Sequence, residues 1–180
     1  EPDINRLEHF IGPPLRLSFE QSYRFTTEQA MQAIGYYRER FEQKGMYENT
    51  LYEGIRELLA TLKEHGYILA IATSKPTVYA EEILRYFELR HYFDFIGGSN
   101  LDETRSFKWE VIEYVIQQFK QYTPEQFIMI GDRKYDINGA EKMGIESMGV
   151  TYGYGSREEL QAANANYIVD TVEELKNFFM

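Results

Sequence analysis

The sequence predicts an α/β fold: a parallel sheet with helices on both faces, preceded by a small helical segment. Three observations carry this. From about residue 50, short apolar runs alternate with amphipathic stretches, the pattern of strands and crossover helices. The first run, Tyr67-Ile68-Leu69-Ala70-Ile71-Ala72, is nearly continuous in apolar residues, as in a strand covered on both faces. Residues 1 to about 46 carry helical spacing and no convincing strand. The expected division is a partial helical unit at 1–48 and an α/β core at 49–180. At 180 residues and 21.3 kDa the chain is one ordinary domain, or a main domain with a small second one.

Asp3 can cap a short helix whose apolar face is Ile4, Leu7 and Phe10 or Ile11. Gly12-Pro13-Pro14 breaks it. Leu15 to about Tyr23 forms a second helix, with Leu15 or Phe19 inward. Thr27 precedes a long helix to about Lys44, with Met31, Ile34, Tyr37, Arg38 and Phe41 near helical spacing. Gly45 stands in the usual C-terminal position. Gly54 to His65 is amphipathic and closed by Gly66. After the 67–72 strand, Pro76 suits the first turn of a helix reaching about Phe87. A strand at 93–96, a helix at 107–120, a strand at 127–130 and a helix at 136–143 stopped by Gly144 follow. Strands at 147–150 and 167–169, each followed by a helical stretch, complete the series.

Composition narrows the function. Hydrophobic residues make up 43%, enough for a buried core. The 19 Lys+Arg against 29 Asp+Glu give a formal charge of -10, where a general nucleic-acid binder shows a basic excess. No stretch approaches the roughly 20 apolar residues of a membrane span. There is no Cys, hence no disulfide, thiol nucleophile or thiolate metal site. No signal peptide opens the chain, so the expected location is cytoplasmic. Residue 1 is Glu, followed by Pro2, which suggests that the native N-terminus lies elsewhere.

In an open parallel sheet, ligands bind beyond the carboxyl ends of the strands. That rule selects Thr73-Ser74-Lys75-Pro76, Gly97-Gly98-Ser99-Asn100 and Gly131-Asp132-Arg133-Lys134-Tyr135-Asp136. In the last loop an apolar strand runs straight into Gly-Asp, with a second Asp four residues on. Two hard carboxylates of this kind suit Mg²⁺, which keeps waters and borrows phosphate oxygens. The plainer alternative is that Asp132 caps a turn and Asp136 caps the following helix. The Thr73–Pro76 loop offers a hydroxyl, backbone N–H groups and a helix start, as a phosphate requires. Its plainer alternative is helix capping by Thr73 and Ser74 with Lys75 solvated. Lys108, at the next helix start, is placed to neutralise a phosphate and a carboxylate together. His9, His65 and His91 are scattered and read as structural; Trp109 reads as packing.

These features in this order resemble the haloacid dehalogenase-like phosphohydrolases, in the phosphoglycolate phosphatase-like branch with a helical cap. Ile71-Ala72-Thr73 matches the second family motif, Lys108 the third, and Gly131, Asp132 and Asp136 the fourth. Gly98-Ser99-Asn100-Leu101-Asp102-Glu103-Thr104-Arg105 and Phe10-Ile11-Gly12-Pro13-Pro14-Leu15 also look like this branch. The resemblance implies a Rossmann-like three-layer core, Mg²⁺ held by Asp132 and Asp136, and phosphate held by Thr73, the Ser74 N–H and Lys108. It makes Gly12, Pro13 and Arg38 candidate cap contacts, with Arg38 reaching a substrate carboxylate or lying solvated. Arg133 is expected as a plain surface charge.

One family element is missing. The first motif, Asp-x-Asp-Gly-Thr, carries the attacking Asp and the acid–base Asp, and no Asp-x-Asp occurs in the sequence. In the family its strand lies mid-sheet, between the strands at 67–72 and 126–130. The sheet is therefore expected to have a gap there, the absent unit being on the order of 30 residues. The expected function is a Mg²⁺-dependent phosphomonoesterase on a small metabolite, phosphoglycolate first and a nucleoside monophosphate second. It would act through an aspartyl phosphate whose Asp lies outside this sequence, so that the chain alone is inactive. A sugar phosphomutase and a non-catalytic phosphate-ligand or partner-binding protein are the alternatives. A monomer or homodimer without nucleic-acid or membrane partners is expected.

Overall fold

The computed structural model describes residues 4–180. The expected cap at Asp3 lies outside them. The chain opens with a 3₁₀ segment, Ile4–Phe10, then α1 (Leu15–Tyr23) and α2 (Thr27–Gln43). Thr26 starts α2 with a capping box: its hydroxyl accepts from the Gln29 N–H, and the Gln29 side chain accepts from the Thr26 N–H. Ala30, Ile34 and Phe41 form its buried stripe, whereas Met31 and Tyr37 keep exposed surface. In α1 the buried residue is Ser18, not Leu15 or Phe19. Gly45 does not close α2 in a left-handed turn. It begins a 3₁₀ turn, Gly45–Tyr47, where a Cβ would stand 3.0 Å from the Phe41 ring.

The remainder alternates helix and strand: α3 (Ile55–Glu64), β1 (Ala70–Pro76), α4 (Thr77–Tyr86), β2 (Phe95–Ser99), α5 (Lys108–Ile116), β3 (Ile128–Gly131), α6 (Lys134–Met143), β4 (Glu146–Val150), α7 (Arg157–Ala162), β5 (Tyr167–Val169) and α8 (Val172–Phe179). Every strand pairing is parallel, as the α/β reading requires. Gly66 and Gly144 close their helices at positive φ, as expected.

β1 begins three residues later than the apolar run suggests and ends at Pro76. Tyr67 and Ile68 are exposed; Tyr67 turns to the C-terminal helix, its hydroxyl donating to the Phe179 carbonyl at 3.1 Å. The front of the run anchors α8, and the ladder starts at Ala70↔Phe95. Pro76 thus closes a strand and holds the N-cap position of α4, rather than lying in its first turn. The helix expected at 107–120 stops at Ile116.

The strands form two separate sheets, β1-β2 and β3-β4-β5. β1 and β3 exchange no ladder hydrogen bonds yet share neighbours on both faces. On one face Ala72 and Met129 pack with Ile112, Ala140 and Ile145. On the other, Leu69, Ile128 and Ile130 pack with Leu58, Leu62 and Leu175. The helices therefore hold two half-sheets in one layer, with apolar cover above and below the seam.

Candidate functional site

The carboxyl ends of β1 and β3 meet at Lys108. Its Nζ donates to the Ala72 carbonyl at 2.8 Å and pairs with Asp136 Oδ1 at 2.6 Å. The Lys108 and Asp136 side chains are only 13% and 6% exposed, so this is a buried pair. α6 starts at Lys134, two residues before the expected start, which makes Asp136 its third residue. The other oxygen of Asp136, Oδ2, accepts from the Arg133 N–H at 3.0 Å. Asp136 thus serves as a helix-start acceptor and as the lysine's counter-ion together.

Asp132 lies one residue beyond β3. Its Oδ2 accepts the Tyr154 N–H at 2.8 Å, and Oδ1 has no hydrogen-bond partner among the described residues. Gly153 and Gly155 pack so closely on Asp132 that a Cβ on either would run into its side chain or carbonyl. The 151–155 loop follows β4 and so obeys the same carboxyl-end rule that selected the other loops. Its Gly-Tyr-Gly spacing was the readable signal for this contact. The Asp132 carboxylate also leaves a mark on two tyrosines: burial chiefly, then charge including that of Asp132, raises Tyr52, and Tyr152 is pushed up to about 12.

Two carboxylates suit a hard cation that completes its shell with water and phosphate oxygens. Each carboxylate oxygen retains lone-pair capacity beyond the bonds described. Among the described residues no group of three or more His, Cys, Asp and Glu converges. Asp132 and Asp136 are oxygen donors of the kind that suits Mg²⁺, and two protein carboxylates leave the rest of its shell to water and phosphate.

The Thr73–Pro76 stretch expected as a loop is instead the last part of β1, with an irregular register between Thr73 and Pro76, and there Thr73 Oγ1 accepts the Lys75 N–H at 3.2 Å. The Ser74 hydroxyl is buried and has no hydrogen-bond partner among the described residues. Lys75 keeps an exposed flank, but its crowded ammonium is lowered by desolvation and then by Lys108. It lies 5.5 Å from the Phe41 ring centroid.

Ser74 and Lys75 open into a cleft of about 190 Å³ against the N-terminal helical segment. Gly12, Pro13 and Arg38 line it, but Thr73, Lys108, Asp132 and Asp136 do not. Tyr37 stacks on Phe41 at 5.4 Å, and Phe41 meets Tyr79 edge-on at 5.3 Å, making an aromatic wall. The Tyr79 hydroxyl donates to Glu42 and is pushed up to about 12 by burial and that carboxylate. Arg38 is neither solvated nor free: it donates to the Leu101 carbonyl at 2.7 Å and pairs with Glu103. A larger hollow of about 650 Å³ lies between α3 and α8, with Tyr52 and Tyr152 among its lining.

Arg133 is not the plain surface charge expected. Its side chain is 12% exposed, pairs with Glu159 at 2.9 Å and donates to the Ile11 and Glu8 carbonyls. It ties residues 8–11 to the β3 loop, next to Gly12, which turns at φ +116°. The histidines make local contacts: His9 with Ser22 at 2.8 Å and His65 with the Thr61 carbonyl at 2.8 Å. Trp109 packs beneath Lys142, whose Nζ is 3.3 Å from the ring centroid. No helix among the described residues is long and apolar enough to cross a membrane.

Comparison with known proteins agrees with this architecture. The family model for haloacid dehalogenase-like hydrolases matches residues 1–150. A 5'-nucleotidase of Pseudomonas aeruginosa is 48% identical over 162 residues, 90% of this chain and 73% of its own. A tyrosine-protein kinase, PtkA, of Mycobacterium tuberculosis is 33% identical over 97% of this chain, which spans 60% of the kinase's length. Phosphoglycolate phosphatase of Vibrio vulnificus is 28% identical over 95% of this chain and 75% of its own. The crystal structure of a predicted phosphatase from Clostridium acetobutylicum superposes with a TM-score of 0.96 at 49% identity, covering 99% of this chain and 82% of that one.

Proposed function

The chain belongs to the haloacid dehalogenase-like hydrolase family, and on that premise we propose that it hydrolyses the phosphomonoester of a small cytoplasmic metabolite, a nucleoside 5'-monophosphate ahead of phosphoglycolate. The observation that carries this order is the cleft: an aromatic wall of Tyr37, Phe41 and Tyr79 facing the orphaned Ser74 hydroxyl and the Lys75 ammonium. Phe41 and Tyr79 are buried behind Tyr37, which keeps exposed surface, so Tyr37 is the ring a planar base would meet. The 48% identical relative bears the name 5'-nucleotidase, which supports the same order.

In this reading the attacking carboxylate comes from a strand seated between β1 and β3. The unpaired seam and its apolar cover on both faces support that placement. In-line attack forms an acyl phosphate as the bond to the nucleoside 5'-oxygen breaks, that oxygen taking a proton from the acid–base Asp of the same segment; water, giving its proton back to that Asp, then cleaves the acyl phosphate to inorganic phosphate and the free carboxylate. Thr73 and the Ser74 N–H hold the non-transferring oxygens, and Lys108 offsets the charge that builds on the phosphoryl group. Asp132 and Asp136 hold Mg²⁺, which when bound screens the nucleophile's charge from the phosphate's. Residues 1–48 act as a cap that excludes water, with Gly12, Pro13 and Arg38 at its contact face.

The test is phosphate release by the full-length protein from adenosine 5'-monophosphate and 2-phosphoglycolate, with and without Mg²⁺. We expect metal-dependent turnover, faster on the nucleotide, abolished by Asp132→Ala in a folded protein. Turnover of neither compound, or turnover indifferent to Asp132, overturns the reading.

A further inference from the structure

We propose that Glu103 sets substrate specificity: by pairing with Arg38 it cancels the cap-side positive charge of the cleft and turns away substrates with a second anionic group. The inference rests on the nucleotide-over-phosphoglycolate reading and supplies its physical cause.

The cleft holds cations on two sides. Lys75 lines it beside Ser74, whose N–H is assigned to the phosphate, and lies near enough to Lys108 to feel its charge. Arg38, on α2, lines the same cleft. Alone, it would be a fixed guanidinium in a narrow cleft, a ready partner for a substrate carboxylate. Glu103 occupies that role from within the protein. Its side chain is 13% exposed, and it also lines the cleft. An incoming carboxylate would have to displace it, or lie beside it unpaired, and both cost binding.

The carboxylate is held in place by its loop rather than resting there by chance. Glu103 and Arg105 both take left-handed backbone, φ 64° and 49°. That strain is borne by a network: Arg105 donates to the Gly98 carbonyl and to Asn100, each at 2.8 Å, and stacks 3.8 Å over Tyr114. Thr104 N–H donates to Asp102 at 3.0 Å and Asn100 donates to Thr104 at 2.8 Å. Strained residues held by over-determined surroundings concentrate at working sites. Burial lifts the Glu103 carboxyl above the ordinary glutamate value even though Arg38 and Arg16 pull it down. The loop therefore keeps this carboxylate on Arg38 at a solvation cost.

The experiment is equilibrium binding of 2-phosphoglycolate and adenosine 5'-monophosphate to the full-length protein, read by calorimetry. Glu103→Gln keeps the side-chain volume and a hydrogen-bond acceptor but removes the charge. Its ratio of phosphoglycolate to nucleotide affinity should rise about tenfold or more, the scale of one charge-assisted hydrogen bond. Adding Arg38→Met to Glu103→Gln should return the ratio to within about threefold of the starting protein. Should Glu103→Gln fail to fold, Glu103→Gly removes the same carboxylate where glycine takes the left-handed backbone without strain. An unchanged ratio in these variants overturns the role of Glu103 while leaving the nucleotide reading intact. Starting protein that binds neither compound overturns both.

Discussion

Replacing Lys108 by methionine leaves the Asp136 carboxylate without its cation at a site where the pair is 2.6 Å apart and the side chains are 13% and 6% exposed. Removing one partner of a buried pair costs about 3–5 kcal/mol, because an uncompensated charge remains. In a chain of 180 residues each kcal/mol moves Tm by about 2–4 °C, so Tm should fall by about 6–20 °C. Asp136→Asn reverses the problem by stranding the ammonium, with the Ala72 carbonyl its one remaining hydrogen-bond partner among the described residues. Its amide oxygen can still accept from the Arg133 N–H, so the helix start survives. The double variant removes both charges and should cost only about 1–2 kcal/mol, less than either single change. Urea unfolding of all four proteins, followed by circular dichroism, gives the coupling energy directly. Additive losses, with the double variant the least stable, would refute the claim that these residues are one buried unit.

Other consequences are as direct. Arg133→Met should cost about 1–3 kcal/mol and speed proteolysis within residues 7–14, because the ties to Ile11, Glu8 and Glu159 are lost together; unchanged cleavage there would place the anchor elsewhere. Gly12→Ala should cost about 1–3 kcal/mol in thermal unfolding, since φ is +116° and the new Cβ stands 2.7 Å from the Tyr135 ring. Burial raises the Glu159 carboxyl, but the Arg133 and Lys134 contacts outweigh it and hold it below the ordinary glutamate value. Its stabilisation is then complete above the unfolded-state pKa and lost as pH falls through the lower folded value. Glu159→Gln should accordingly flatten the acid limb of the stability–pH curve and leave its alkaline limb alone.

Much of this was legible in the sequence, for identifiable reasons. The helix–strand alternation rests on local periodicity, so every core element appears within a few residues of its expected place. One boundary moved where a tertiary contact intervenes, as Tyr67 left the strand for Phe179, and α5 ended at Ile116, short of where apolar spacing alone would carry it. The stretches around Thr73 and Asp132 could be found because a carboxyl-end rule needs only strand order, although Thr73 to Pro76 turned out to belong to β1 itself. Glu103 and Arg133 could not be read this way. Arg38 and Glu103 are 65 positions apart, and Arg133 and Ile11 are 122 apart. No single-sequence pattern joins such residues; only the folded geometry does.

The seam between the half-sheets also bears on cooperativity. With no ladder across it, β1-β2 and β3-β4-β5 are held to each other by helix packing and by Lys108, which grips one element from each side. Such a boundary is where sub-global opening starts, because parting it breaks few backbone hydrogen bonds. Native-state hydrogen exchange should then sort the strands into two classes of protection, one for each half.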